Sequence, residues 1–142
     1  MQQLAMVTVL LSNYSRVWFM NKQEYEKWAV IADEKLQQSN LFKDNAHQKI
    51  YKSYNGYAAA LGVTVLMIGL VPALVVYYQD NENVCRRNVL EVIAKMLGYE
   101  TAGTLLETAL NSSVDNINVM QKNVINSSIA LKQVIRTYKL ED

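Results

Sequence analysis

Apolar residues recur at spacings of three and four along most of this chain, and that rhythm predicts helices. Tyr25, Trp28, Ala29, Ala32 and Leu36 mark one face of a first helix over about Lys22 to Gln38. Asn21 stands where a cap is needed and Glu24 follows three residues later, the spacing of a capping box. A second helix is predicted from Asp44 or Asn45 to about Ile68, with Ile50, Tyr54, Tyr57, Leu61, Val65 and Ile68 on its inner side. Ala58, Ala59 and Ala60 would let another helix approach closely. Gly69 then ends that helix, and Pro72 stands near the start of a short third one reaching Gln79.

Three more helices complete the pattern. Val84 to Leu97 turns Val89, Ile93, Met96 and Leu97 inward and ends at Gly98. Thr101 to Leu110, capped by Thr101, turns in Leu105, Leu106 and Ala109. Val114 to about Leu140 is the longest, with Ile117, Met120, Val124, Ser128, Leu131, Ile135 and Tyr138 at helical spacing. No stretch alternates apolar and polar residues long enough to predict a strand. The expected fold class is all-α, a compact bundle of five to six helices.

The charge pattern raises a competing idea. No charged residue lies between Lys52 and Asp80, and Tyr57 to Tyr78 is mostly apolar with aromatics at both ends. A transmembrane helix needs about 20 apolar residues, so a small membrane protein spanning at Tyr57 to Tyr78 is the runner-up reading. Gly62, Gly69 and Pro72 interrupt the run, and Pro72 would break an interior hydrogen bond. Two buried helices therefore fit better than one span. Residues 1–19 hold an apolar core, Leu4 to Leu11, without the positive start that a secretory signal requires. We read 1–19 as a non-native N-terminal extension, Met20 as the start, and 20–142 as a single helical domain. Without a signal, the Asn13, Asn111 and Asn126 sequons carry no function.

Candidate chemistry is sparse. The 142 residues include one His and one Cys, too few for a zinc centre or a disulfide framework. No nucleophile elbow, phosphate-binding glycine loop or dinucleotide fingerprint occurs. No catalytic residue, metal ligand or cofactor is predicted. A helical enzyme using His47 as base is a third reading, and it lacks a partner for that base. His47 reads as a partly exposed surface histidine, and Cys85 as a semi-buried thiol at a helix start. Arg86 and Arg87 sit at the same start, where the helix dipole disfavours cations, and Glu82 could pair with them.

The remaining basic residues cluster. Lys49 and Lys52 flank Tyr51, while Lys132, Arg136 and Lys139 form a stripe on the last turns of the final helix. Such stripes can follow a phosphate backbone, and cations at a helix C-terminus are also favoured by its dipole. The net charge is only +1, so no global field draws the chain to nucleic acid. Without residues 1–19 and their Arg16 the balance falls to 13 basic against 13 acidic residues.

Lys49-Ile50-Tyr51, Ser53-Tyr54, the break Gly69-Leu70-Val71-Pro72, and Ala73-Leu74 occur in an order that resembles a known family. Ile129-Ala130-Leu131-Lys132 with Ile135-Arg136-Thr137-Tyr138 is similar to that family's last helix. The family is the small helical subunit of type III-B CRISPR effector complexes, the Cmr complex, and the likeness spans about Met20 to Leu140. The resemblance implies a non-catalytic, cytoplasmic subunit of an RNA-guided antiviral assembly. Copies of it would stack as a minor filament beside the backbone subunits and meet the large subunit at one end. It would contact target RNA and lie near the CRISPR RNA, with no membrane partner. Lys49, Lys52, Lys132 and Arg136 match the family's basic positions, which implies phosphate contact without base reading.

Overall fold

The computed structural model describes residues 21–142, so the expectation for residues 1–19 lies outside the described residues. The chain runs α1 (Lys22–Gln37), β1 (Lys49–Tyr51), α2 (Lys52–Ile68), α3 (Leu70–Gln79), α4 (Arg86–Met96), α5 (Ala102–Leu110), α6 (Val114–Ile135) and β2 (Lys139–Glu141). The helical bundle is as predicted. One buried apolar cluster joins its helices, from Ala32 and Leu36 on α1 to Leu131 and Ile135 on α6. The helix starts follow local chemistry. Asn21 Oδ1 accepts from Glu24 N at 2.8 Å, and Thr101 Oγ1 accepts from Thr104 N at 3.1 Å.

The uncharged stretch lies in the core. Tyr54, Ala58, Leu61, Val65, Leu70, Ala73, Leu74 and Tyr77 are all buried. Gly69 divides the stretch with φ 93° and ψ 164°, a conformation open to glycine and strained for other residues. Among the described residues no helix is long and apolar enough to cross a membrane. The inward faces are narrower than the spacing predicted. Tyr57 is half-buried, and Ile68, at the end of α2, is 49% exposed.

α2 packs chiefly on α6. Gly62 and Ser128 make the close approach: a Cβ at Gly62 would stand 3.0 Å from Ser128 Oγ. Ser127 and Ser128 are buried on α6, each donating to a carbonyl three residues earlier, Val124 O and Ile125 O, both at 2.9 Å. Small hydroxyls satisfied by their own helix let a polar surface be buried without other partners.

Two expectations are corrected. α2 begins at Lys52, and the residues before it form a loop and a strand. Asp44 caps no helix. Its Oδ1 instead accepts from the amides of Gln48 at 3.1 Å and Lys49 at 3.4 Å, closing a loop in which His47 has φ 56°. At the other end α6 stops at Ile135, and Lys139–Glu141 pairs in parallel with Lys49–Tyr51. The register sets Lys49 against Lys139, Ile50 against Leu140 and Tyr51 against Glu141. Each strand has three residues, too few to display an alternating pattern, so no strand was predicted. The pairing is between segments far apart in sequence, and it seats Ile50 fully buried against the core.

Candidate nucleic-acid interface

The strand pair brings together one lysine from each of two basic clusters that no spacing rule connects. Lys49 lies on β1 and Lys139 beside it on β2, so their side chains share one face of the small sheet. Glu141, two residues beyond Lys139, is on the same face. Its carboxylate lies 3.5 Å from Lys139 Nζ, 3.6 Å from Lys49 Nζ and 3.7 Å from Lys43 Nζ. Burial alone would raise the Glu141 pKa. The charges of Lys49, Lys139 and Lys43, with a hydrogen bond from Lys139, outweigh burial and hold it below the ordinary carboxylate value.

Lys52 is exposed and opens α2, whose N-cap residue, Tyr51, offers no side-chain bond. A cation there opposes the helix dipole, so helix stability does not account for it. Lys132 and Arg136 stand one turn apart at the end of α6, Lys132 half-buried and Arg136 exposed. Partial burial lowers the Lys132 pKa, and the neighbouring Arg136 charge pushes the same way. Among the described residues Lys52, Lys132 and Arg136 form no ion pair, whereas Lys49 is engaged with Glu141. Lys43 and Glu141 belong to this surface and were missed. Neither stands in a basic run: the strand register brings Glu141 to it, and Lys43 arrives through the hydrogen bond from its amide to Lys49 O at 2.8 Å, beside the Phe42–Ile50 bridge.

Aromatic rings border the strand pair, Tyr51 on the lysine face and Phe42 on the face of Ile50, which it opposes. Phe42 stacks on His47 with ring centroids 4.5 Å apart and meets Tyr138 edge-on at 5.2 Å. Lys43 Nζ lies 5.6 Å from the centre of the Tyr51 ring. Tyr138 OH donates to Asp33 Oδ1 at 2.8 Å and accepts from Gln37 Nε2, which anchors the segment before β2 to α1. His47 therefore sits half-buried in a loop, against a phenylalanine ring.

The other candidates resolve differently. Arg86 pairs with Asp80 at 3.4 Å, where Glu82 had been expected, and Asp80 also accepts from Arg86 N at 2.9 Å. Asp80 can do both because it ends α3 and faces the start of α4. The two guanidiniums lie over tyrosine rings, Arg86 4.8 Å from Tyr57 and Arg87 4.1 Å from Tyr78. Cys85 is 2% exposed, more deeply buried than its sequence position suggests. Asn126, one of the three sequon asparagines, is also buried. Among the described residues no three potential ligands converge as a metal site. An open, mostly polar cleft of about 380 Å³ lies between the end of α1 and α4, lined by Ser39, Asn40, Arg87, Asn88, Glu91 and Lys95 among others.

The family model described as CRISPR-associated protein (Cas_Cmr5) matches residues 23–138. The chain belongs to the Cmr5 family. That span runs from α1 to Tyr138, so it includes β1, α2 and the whole of α6. Cmr5 membership makes the chain the small subunit of a type III-B CRISPR effector complex, as the sequence resemblance implied. A solved structure shares the fold: the X-ray crystal structure of a CRISPR-associated Cmr5 family protein from Thermus thermophilus. It aligns with a TM-score of 0.66 at 22% identity, covering 78% of this chain and 92% of that one. No curated protein matches the chain.

Proposed function

We propose that this Cmr5 family chain is a non-catalytic scaffold subunit that stacks in several copies as a minor filament. The filament would lie beside the backbone subunits that hold the CRISPR RNA, meet the large subunit at one end, and contact the target RNA backbone. We place the assembly in the cytoplasm. Lys49, Lys52, Lys132 and Arg136 are the phosphate contacts in this reading. The observation that carries it is the β1–β2 pairing, which sets Lys49 of the first basic cluster beside Lys139 of the second. Phosphate contacts position a strand without reading its bases, and guide pairing supplies the sequence. A near-neutral chain with a local basic surface suits a subunit that borrows affinity from its assembly.

The test is target-RNA capture by the assembled complex. Replacing Lys49, Lys52, Lys132 and Arg136 together with Glu should weaken capture at moderate salt and flatten its salt dependence. Each lost phosphate contact should lower the slope of log K against log salt by about 0.7. Co-purification of the variant with the other subunits checks that assembly survives. Unchanged capture by an intact complex would refute the RNA contacts and leave the scaffold role standing.

A further inference from the structure

Lys49 and Lys139 stand directly opposite each other on paired strands. Like charges in that position repel and weaken the pairing unless an anion lies between them. Glu141 is that anion, and it serves Lys43 as well, at 3.5 to 3.7 Å from all three ammonium groups. Two other acids are close by. Asp44 Oδ1 is engaged with the amides of Gln48 and Lys49, and the Asp142 backbone oxygen accepts from Lys43 Nζ at 2.7 Å. Glu141 therefore bridges a cation cluster drawn from a loop and two strands, in which Lys43 is also held by the Asp142 oxygen. All four side chains are at least a quarter exposed, from 28% for Glu141 to 67% for Lys139. Exposed ion pairs are individually weak and readily exchanged.

A phosphodiester carries the same single negative charge as this carboxylate, spread likewise over two oxygens that can each accept from more than one ammonium group. The Tyr51 ring beside Lys43 adds a flat face of the kind on which a single-stranded base stacks. We propose that Lys43, Lys49 and Lys139 form a phosphate site for single-stranded RNA, and that Glu141 occupies it as an internal anion until RNA phosphate displaces it. This rests on the RNA-contact reading above. It adds Lys43 and Lys139 to the contact surface and makes Glu141 a built-in competitor. Without RNA the three lysines contact Glu141, and bound phosphate takes over the same three lysines.

The test measures binding of a fluorescent oligouridylate to the full chain by anisotropy, at low and moderate salt. Glu141→Gln should tighten binding about two- to tenfold and steepen the salt dependence, because the lysines become available to phosphate. Glu107→Gln, on the exposed side of α5, changes the net charge equally and should leave affinity near that of the unaltered chain. Adding Lys43→Gln and Lys139→Gln to Glu141→Gln should abolish the gain. Circular dichroism and thermal unfolding establish that each variant is folded. If Glu141→Gln loosens the strands, Glu141→Asp, which keeps the charge on a shorter arm, supplies a second reading, and it should tighten binding less than Glu141→Gln does. Equal affinities for Glu141→Gln and Glu107→Gln would overturn the competitor role. If reversing Lys49, Lys52, Lys132 and Arg136 still weakens binding in that case, the RNA-contact reading survives. If no variant binds differently from the unaltered chain, both fall.

Discussion

Tyr77 shows how one side chain couples packing to chemistry. It is 2% exposed, and its hydroxyl donates to the Tyr57 carbonyl at 2.7 Å, fastening α3 to α2. Burial pushes its phenol from 10.0 up to about 12, and the positive charge of Arg86 pulls it back only in part. The folded state therefore holds the Tyr77 proton more tightly than the unfolded chain does. The resulting stability is fully present below about pH 10 and is lost as the pH rises through about 12. Tyr77→Phe should lose about 1 kcal/mol at neutral pH, the usual net worth of a hydrogen bond. The same variant should lose less stability than the parent above about pH 10. Urea unfolding midpoints at neutral and alkaline pH check both. Tyr54, whose phenol burial also raises, would account for a residual slope.

At the scale of elements, Gly69 decides how the uncharged stretch folds. Its φ of 93° turns the chain out of α2, and its carbonyl accepts from Ala73 N at 3.2 Å to open α3. Pro72 falls in the first turn of α3, where a missing N–H breaks no helical bond. Gly69→Ala should destabilise by about 1 to 3 kcal/mol, because an L side chain at this φ and ψ is strained. Thermal unfolding measures the loss. A melting temperature equal to the parent's would mean that the turn accepts another conformation.

At the scale of the molecule, the tight spot is where α2 crosses α6. A Cβ at Gly62 would meet Ser128 Oγ at 3.0 Å and Ile125 Cγ2 at 3.9 Å. Both helices are anchored at one end by the strand pair, so neither can retreat without moving β1 or β2. Gly62→Val should cost about 1 to 3 kcal/mol through overpacking. Combining it with Ser128→Ala, which removes the obstructing oxygen, should recover part of the loss. A double-mutant cycle by chemical denaturation reads the coupling, and strictly additive losses would show that the two residues do not meet.

The sequence by itself determined the helices, because amphipathic spacing and caps act within a few residues. Asn21, Thr101 and Gly69 are used as their local patterns predict, whereas Glu24 Oε1 accepts from the Asn21 side-chain amide at 3.3 Å rather than from the backbone amide of a capping box. The family likeness was legible for a related reason: order and spacing along one chain are what a sequence records. Only the tertiary structure decided the strand pair and the lysine cluster around Glu141. Three-residue strands carry no periodicity, and parallel pairing between β1 and β2 depends on where α2 and α6 bring their ends. Asp44 likewise looked like part of a helix start until the fold drew Lys49–Tyr51 into an extended strand and left its carboxylate to close the loop. Charge shows the same division. The count of +1 is a property of the sequence, whereas the placing of three lysines on one carboxylate belongs to the fold. Electrostatic attraction depends on distances in space, and those distances are set only when the helices pack.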